Sequence, residues 1–361
     1  MIDPDDLSQF NNPWEQRKEA LRAQAIAMGF AVAGFAPLRP PPRAEALMPW
    51  LEEGRHAGMA WLARQPEKRV DPSRWVGAEG VLMVLGWHVA EQESAEDRDP
   101  SHGLIAAYAR RTDYHAVLKE RTEALATWFE QRMGQTIPHR SFVDTAPLME
   151  KPLAMAAGLG WQGKNTLLVT RRFGCRLMLA ELFLPFPIPP DSSGRDHCGS
   201  CDRCQRVCPT GALDRDYQID AGRCLAYWTV EHREAIPESL RGALGNRIFG
   251  CDACITACPW NRFAARENRC QTEAMPLESS QAFSRSLTEW AEMDEGAFKT
   301  RFAGTPVERI GWVRLLRNIA TALGNWDDPR ALSALRRLAE HPAPLVREHA
   351  AWAMEQYTDK E

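Results

Sequence analysis

The cysteines are the residues of this 361-residue chain that most clearly indicate chemistry, because eight of the ten fall into two spaced groups. The first group has the pattern C-x2-C-x2-C-x3-C-P and comprises Cys198, Cys201, Cys204 and Cys208. The second comprises Cys251, Cys254 and Cys258, followed by Pro259, with Cys224 upstream. In such a run three thiolates hold one cubane and the fourth binds a neighbouring cluster. The spacing therefore predicts two four-iron four-sulfur clusters.

Crossing of the fourth ligands, as in two-cluster ferredoxins, divides the eight cysteines into two complete sets. The first set is Cys198, Cys201, Cys204 and Cys258, and the second set is Cys208, Cys224, Cys251 and Cys254. Two zinc sites are the alternative, since C-x2-C pairs also build tetrahedral thiolate cages, but a single four-ligand ion explains the triple repeat poorly. Cys175 and Cys270 fit neither set and are interpreted as free thiols.

Composition places limits on location and partners. The residues are 44% hydrophobic and 25% charged, which is ordinary for a globular protein. The acidic, polar N-terminus lacks the basic start and apolar run of a secretory signal, so a cytoplasmic location is expected. No segment reaches the roughly 18 uninterrupted apolar residues that a membrane span requires. The formal net charge of -4 means that a nucleic-acid partner would need a local basic face.

Apolar periodicity predicts an α+β protein in three parts. Residues 1–190 read as a mixed α/β domain, residues 191–270 as a ferredoxin-like domain, and residues 271–361 as an all-helical module similar to a HEAT pair. Strands are predicted at residues 30–36, 80–89, 104–109, 141–144, 166–170 and 176–184. Helices are predicted at residues 14–29, 114–133, 148–158, 311–323, 329–340 and 344–356.

Four segments of the chain closely resemble the epoxyqueuosine reductases. They are SFVDTAPLMEKPLAMAAGLGWQGKNTLLV, CGSCDRCQRVCPTGAL, RCLAYWTVEH and GNRIFGCDACITACPWNR, and they occur in the same order as in that family. The resemblance implies a cobalamin-dependent enzyme with two four-iron four-sulfur clusters, which reduces the epoxide of epoxyqueuosine in tRNA to queuosine. It also implies a reductive dehalogenase-like cobalamin domain at residues 1–190, an external low-potential electron donor and a monomeric protein.

Asp144 is the predicted proton donor. It ends the apolar segment that begins at Ser141 and precedes Thr145, a position where a strand runs into a loop and a side chain can face a pocket. Removing an epoxide oxygen requires electrons and a positioned acid. Capping of the following helix is the alternative explanation for an aspartate here. The resemblance favours the acid, because the family has its proton donor in a matching VDT motif.

The same resemblance suggests residues that contact cobalamin. They are Arg69, Asp144, Leu168, Leu179, Ala226, Cys251 and Asp252. Ala226 replaces the serine that is usual in the family, so only its backbone could serve. His115 in the sequence Asp113-Tyr114-His115 lacks the glycine of the D-x-H-x-x-G cobalamin motif, and a helix capped by Asp113 explains it better. Lys164 is a weaker candidate for a contact with cobalamin or RNA.

The C-terminal module is the predicted tRNA-binding part. Residues 299–347 contain nine basic and four acidic residues, a surplus of five positive charges in a chain with a net charge of -4. Arginine pairs with phosphate in a fork and stacks on bases, which favours RNA as the partner. The predicted contacts are Arg314, Arg317, Arg336 and Arg337. A solvated helix face is the alternative for Arg336 and Arg337.

Two other functions remain open at this point. A reductive dehalogenase would share the corrinoid and the clusters, although the N-terminus shows no twin-arginine export signal. A plain electron-transfer module would share the clusters alone. A corrinoid absorption spectrum in the purified protein distinguishes the enzymes from the module.

Overall fold

The computed structural model describes residues 12–89, 99–263, 283 and 285–358. Cys270 lies outside these residues, as does most of the predicted junction around residue 270. The strands are β1 (Val32–Pro37), β2 (Val81–His88), β3 (Leu104–Ile105), β4 (Arg140–Phe142), β5 (Trp161–Gln162), β6 (Leu168–Val169), β7 (Leu177–Leu184) and β8 (Arg247–Phe249).

The helices follow in chain order. They are α1 (Pro13–Ala27), α2 (Leu47–Glu52), α3 (Pro66–Val70), α4 (Ser73–Val76), α5 (Tyr114–Met133), α6 (Glu150–Ala156), α7 (Arg203–Val207), α8 (Glu238–Arg241), α9 (Ala253–Thr256), α10 (Leu287–Ala291), α11 (Glu295–Phe302), α12 (Gly311–Asn325), α13 (Ala331–Ala339) and α14 (Pro344–Thr358). Within the described ranges no helix is both long and apolar enough to cross a bilayer.

An antiparallel sheet in the order β1-β2-β7-β4 forms the centre of the N-terminal domain. Strands β2 and β7 read as continuous apolar runs because both of their faces are covered. Helices α1 and α5 pack on one face, and α6 packs on the other. The carboxyl ends of β2 and β4 therefore meet the start of β7 at one edge of the sheet.

The C-terminal helices share a hydrophobic core with the cluster region. Ile105 of β3 and Ile248 of β8 belong to the same buried cluster as Leu316 of α12 and Val346 of α14. The parallel pairing of β3 with β8 also joins the N-terminal domain to the cysteine region. The three predicted parts thus pack against one another through shared buried contacts.

The predicted strand at residues 104–109 is too long. Only Leu104–Ile105 pair with β8, and Ala107–Ala109 form a 3-10 turn whose first amide donates to a carboxylate oxygen of Asp252 at 2.8 Å. Apolar composition alone cannot distinguish a short buried turn from a strand. Periodicity also gave no helices for residues 44–76, where the structure has short helical turns, or for α10 and α11.

Candidate active site

A cavity bordered by carboxylates and cysteines lies at the sheet edge where β2 and β4 end and β7 begins. Its volume is about 300 Å³. Small-molecule sites span about 300 to 1,000 Å³, so the cavity has the size of a ligand site. Apolar residues such as Leu177 and Ile219 form much of its wall. Carboxylates border one part of it, and cysteines border another.

Asp144 borders this cavity just after β4. It adopts a left-handed backbone conformation with φ of +57°, which a non-glycine residue maintains only where neighbouring contacts hold it. Its backbone N–H donates to Oε1 of Glu150 at 2.7 Å. The side chain is 52% exposed, and this exposure allows its carboxylate to reach into the cavity. The first turn of α6 therefore fixes the position of Asp144.

Two residues at the start of α5 contact the Asp144 carboxylate, and the residue before them holds one of the two. Asp113 caps the helix, as predicted from the sequence. Tyr114 donates its hydroxyl hydrogen to Oδ2 of Asp144 at 3.1 Å. Nε2 of His115 lies 3.4 Å from the same oxygen, and its Nδ1 lies 2.7 Å from Oδ1 of Asp113. His115 thus spans two carboxylates.

This arrangement separates the pKa values of the imidazole and the carboxylate. The hydrogen bond from His115 lowers the pKa of Asp144 to about 2, although burial acts in the opposite direction. Burial alone would lower the pKa of His115, but the hydrogen bonds to Asp113 and Asp144 raise it to about 9. The pair therefore holds one proton at neutral pH, and that proton resides on the imidazole. Sequence reasoning did not assign His115 this contact.

Two buried carboxyls lie behind Asp144. Glu150 contacts Lys151, whose Nζ lies 3.4 Å from Oε2 of Glu150, and burial raises the pKa of Glu150. Glu181 of β7 is fully buried, and neither of its carboxyl oxygens has a hydrogen-bond partner among the described residues. Burial, reinforced by Glu150, raises the pKa of Glu181 well above its usual range. Burial therefore disfavours the ionised form of Glu181.

Cysteines of the second set also border the cavity. Cys224, Cys251 and Cys254 all border it. Burial raises the pKa of the Cys224 thiol, and the nearby Cys251 and Cys208 raise it further. Gly250 precedes Cys251 with φ of +72°, and a Cβ there would lie 2.6 Å from Cβ of Ala106. Only glycine therefore fits at the turn that presents Cys251.

The first set of cysteines surrounds a second, smaller cavity. Its wall is formed by Cys198, Cys201, Cys204, Cys258, Lys164, Asn165, Val169, Pro259 and Trp260. The indole Nε1 of Trp161 donates to Sγ of Cys198 at 3.4 Å. Lys164 pairs with Asp216 at 3.0 Å in this wall, so its charge is already engaged. Cys175 is a buried free cysteine whose Sγ lies 3.4 Å from Oδ1 of Asn261.

The predicted cobalamin contacts divide into two groups. Asp144, Leu179, Ala226, Cys251 and Asp252 border the large cavity. Arg69 and Leu168 are not among the described residues of its wall. The Arg69 guanidinium stacks on Trp61 at 5.3 Å, and its buried Nε has no partner in the described part of the chain. Leu168 lies in β6 next to Leu167, which does border the cavity.

The structure corrects the interpretation of one of the four predicted tRNA contacts. The Arg317 side chain is 0% exposed and donates to the backbone carbonyls of Trp228, His232 and Glu234, so it cannot reach phosphate. The half-buried Arg314 donates to the carbonyls of Val230, Arg309 and Ile310, and its contact with RNA stays a prediction. The helical periodicity of α12 placed them correctly in a helix but did not show which face was buried.

Arg336 and Arg337 of α13 are exposed. Arg337 lies 3.0 Å from a carboxylate oxygen of Glu292 in α10, at the protein surface. Both side chains are therefore accessible to a partner. Their contact with RNA stays a prediction.

A cavity bordered by the carboxylate of a carboxylate–imidazole pair and by cluster-type cysteines defines an iron–sulfur oxidoreductase. Comparisons with known proteins agree with this class. A model for 4Fe-4S double cluster binding domains matches residues 197–261, and a HEAT repeat model matches residues 313–361. The model described as epoxyqueuosine reductase QueG, DUF1730, matches residues 69–145.

Curated relatives align with nearly the whole chain. The epoxyqueuosine reductase of Xanthomonas campestris is 38% identical, over 93% of this chain and 95% of its own length. The epoxyqueuosine reductase of Escherichia coli is 35% identical, over 100% of this chain and 93% of its own length. The chain belongs to the epoxyqueuosine reductase family and is a reductase.

Solved structures give the same result for the fold. An epoxyqueuosine reductase in complex with an epoxyqueuosine-modified tRNA stem loop matches with a TM-score of 0.84 and 27% identity, over 95% of this chain and 90% of that chain. A Bacillus subtilis epoxyqueuosine reductase, with its catalytic aspartate loop swung out of the active site, matches with a TM-score of 0.83 and 26% identity, over 95% and 91% of the two chains.

Proposed function

We propose that this protein reduces the epoxide of epoxyqueuosine in tRNA to the alkene of queuosine, with cobalamin held in the large cavity. The observation that carries the proposal is the position of this cavity between Asp144 and the cysteines of the second set. Electrons from a cluster and a proton from the carboxylate–imidazole pair would then both be available to a substrate bound in this cavity.

The balance of the reaction defines what the residues must supply. Reduction of an epoxide to an alkene consumes two electrons and two protons and releases water. A reduced cobalamin supplies two electrons at a carbon atom of the substrate. His115 holds a proton 3.4 Å from Asp144, so Asp144 can relay this proton to the departing oxygen, and His115 then regains a proton from solvent. Tyr114 keeps the carboxylate oriented through its hydroxyl.

The residues present fit a corrinoid. The wide, mainly apolar wall suits the faces of a macrocycle, and backbone groups near Leu179 and Ala226 are positioned to meet its amide side chains. Asp252 would lie beside the corrinoid edge together with Cys251.

The proposed macromolecular substrate is tRNA. The relative crystallised with an epoxyqueuosine-modified stem loop supports this proposal. The exposed arginines of α13 are the proposed backbone contacts. An external low-potential donor would supply the electrons, the two crossed cysteine sets would hold the clusters, and the protein is expected to act as a monomer.

The test is reduction of epoxyqueuosine-containing tRNA by the anaerobically purified protein, with and without added cobalamin. Product is measured by mass spectrometry of the digested nucleosides. We expect queuosine to form only when a corrinoid absorption spectrum accompanies the iron–sulfur signal. Equal product formation without corrinoid would refute the cobalamin part of the proposal. Failure with corrinoid and both clusters present would refute the assigned substrate.

A further inference from the structure

The surface around the first set of cysteines is unusually basic. Three segments form this surface, namely residues 161–175, 194–208 and 256–263. They contain seven basic residues and two acidic ones, and Asp216, which pairs with Lys164 at 3.0 Å, adds a third carboxylate, so the surplus is +4 in a chain whose net charge is -4. The basic residues are Lys164, Arg171, Arg172, Arg195, Arg203, Arg206 and Arg262, and the acidic ones are Asp196 and Asp202.

Both acidic side chains in these segments already have basic partners. Asp196 lies 2.9 Å from the guanidinium of Arg43, and Asp202 lies 3.0 Å from that of Arg206. Arg171, Arg203 and Arg262 are exposed. The field at this surface is therefore positive, and it would attract an acidic partner.

Aromatic rings form a continuous set of contacts beneath these arginines. Trp161 contacts His197 and Trp260, each with ring centroids 5.0 Å apart, and Trp260 contacts Phe263 at 5.5 Å. Arg171 lies 2.9 Å from Nε2 of His197 at one end. At the other end, Arg262 lies over Phe263 at 4.9 Å.

The aromatic set leads directly to a cysteine of the first set. Trp161 donates to Sγ of Cys198, and Trp260 borders the cavity that the first set surrounds. Val207, which follows Arg206 on α7, adds an apolar side chain that is 43% exposed. A half-buried apolar centre with a charged rim is the usual composition of a protein–protein interface.

We infer that this surface is the docking site for an acidic one-electron carrier protein. We call it the arginine face, and it comprises Arg171, Arg203, Arg262, His197, Trp260 and Phe263. The inference rests on the proposed function, in which the second set of cysteines borders the substrate cavity and the first set does not. Electrons for the cavity therefore enter through the first set.

The electron balance fixes how the carrier acts. Each docking event oxidises the carrier by one electron and reduces the cluster of the first set by one electron. Two such events supply the two electrons that one epoxide requires, and the two protons come ultimately from solvent, one of them through His115 and Asp144. The carrier must leave between events, so a small, charge-steered interface suits this step better than a large apolar one.

RNA is the other polyanion that a basic face could attract. The observations favour a protein, because the arginines surround the first set of cysteines and the substrate nucleoside must enter the cavity bordered by Asp144. The half-buried rings at the centre contact one another, whereas a single-stranded RNA site requires rings that are free to stack with bases.

The test uses the holoenzyme and a plant-type [2Fe-2S] ferredoxin, an acidic one-electron carrier, as the probe. The variant is Arg171→Glu with Arg262→Glu, and a milder variant carries glutamine at both positions in case the first loses iron. The matched control is Arg39→Glu with Arg132→Glu, two exposed arginines outside the three segments. Calorimetry measures the Kd for oxidised ferredoxin, and stopped-flow absorbance measures cluster reduction by reduced ferredoxin and by reduced methyl viologen.

Electrostatic steering changes association by about 10 to 1,000-fold, so we expect at least a tenfold loss of ferredoxin affinity and reduction rate in the variant. The control and the viologen rate should be unchanged. An equal loss of the cluster reduction rate with ferredoxin and with methyl viologen would mean that the arginines change the cluster itself. Weaker tRNA binding with unchanged ferredoxin affinity would assign the arginine face to RNA. Either result overturns the inference. None of these measurements requires turnover, so they are independent of whether the epoxide is reduced.

Discussion

Nε2 of His115 lies 3.4 Å from Oδ2 of Asp144 and joins the start of α5 to the loop after β4. The contact places a protonated imidazole behind a carboxylate that borders the cavity. Neither residue alone combines a proton at neutral pH with access to the cavity. We therefore propose the pair as the acid of this site, and replacing each of the two residues separately tests this.

Replacing Asp144 by asparagine should remove most turnover and leave both clusters and bound corrinoid in place. An amide of the same shape cannot pass on a proton, and general acids contribute about 100 to 10,000-fold to rate. Single-turnover reduction of modified tRNA measures the loss. Glu120→Gln, which neutralises an exposed carboxylate on α5, is the control. Near-normal turnover in the Asp144 variant would leave that residue with a conformational function only.

The rate should fall as pH rises through about 9, because His115 loses its proton there. The sign follows from the raised pKa: the proton is present below this value and absent above it. Replacing His115 by glutamine should abolish this alkaline limb and lower the rate at pH 7. The measurement is a pH profile of single-turnover reduction with the clusters reduced beforehand. If the decline of the rate at alkaline pH persists in the glutamine variant, a group other than His115 causes it.

Glu181→Gln should stabilise the protein increasingly as pH rises from 5 to 8. The raised pKa of Glu181 means that the folded state keeps a proton which the unfolded state releases above its ordinary pKa of about 4.5, so wild-type stability declines with pH. Glutamine cannot ionise and should remove this decline. Urea midpoints at pH 5 and pH 8 measure it, with Glu120→Gln as control. If the urea midpoints of the variant and the wild type differ by the same amount at pH 5 and at pH 8, Glu181 ionises with its ordinary pKa.

Cys208→Ala should damage the cluster of the second set, although Cys208 is adjacent in sequence to the first. Crossed ligation is the reason. Electron paramagnetic resonance of the reduced variant, with an iron count, identifies which signal is lost. Cys175→Ala is the matched control, because it removes a cysteine outside both sets. Loss of the first-set signal alone would mean that ligation is not crossed.

Replacing Arg336 and Arg337 by glutamine should weaken tRNA binding and reduce its salt dependence. Each lost phosphate contact reduces the steepness of the plot of log binding constant against log salt concentration by about 0.7 to 0.9. Loss of both arginines should therefore reduce it by about 1.5. Filter binding at several salt concentrations measures the slope. Arg39→Gln with Arg132→Gln is the control. An unchanged slope would locate the RNA contacts elsewhere.

Motifs with fixed spacing could be read from the sequence, whereas contacts between distant segments could not. The cysteine runs and the cap at Asp113 are local patterns, and the family resemblance, carried by four such segments, identified the family correctly. The His115–Asp144 contact joins residues 29 positions apart through tertiary packing, which periodicity does not encode. Arg317 illustrates the same limit, since an arginine in an amphipathic helix is ordinarily a surface residue, and only the packed structure reveals the carbonyls it binds.

The buried side chains of Arg317 and Asn318 have a consequence for how the chain is made. Asn318 donates to the carbonyls of Thr229 and Ile248, and Arg317 closes the loop between the two halves of the cysteine region. Both residues leave the ribosome after all eight cluster cysteines. A nascent chain therefore cannot complete the surroundings of Cys224 and Cys251 until α12 has emerged. Cluster insertion should accordingly be most efficient into the finished chain, and truncation before α12 should yield a protein that binds iron poorly.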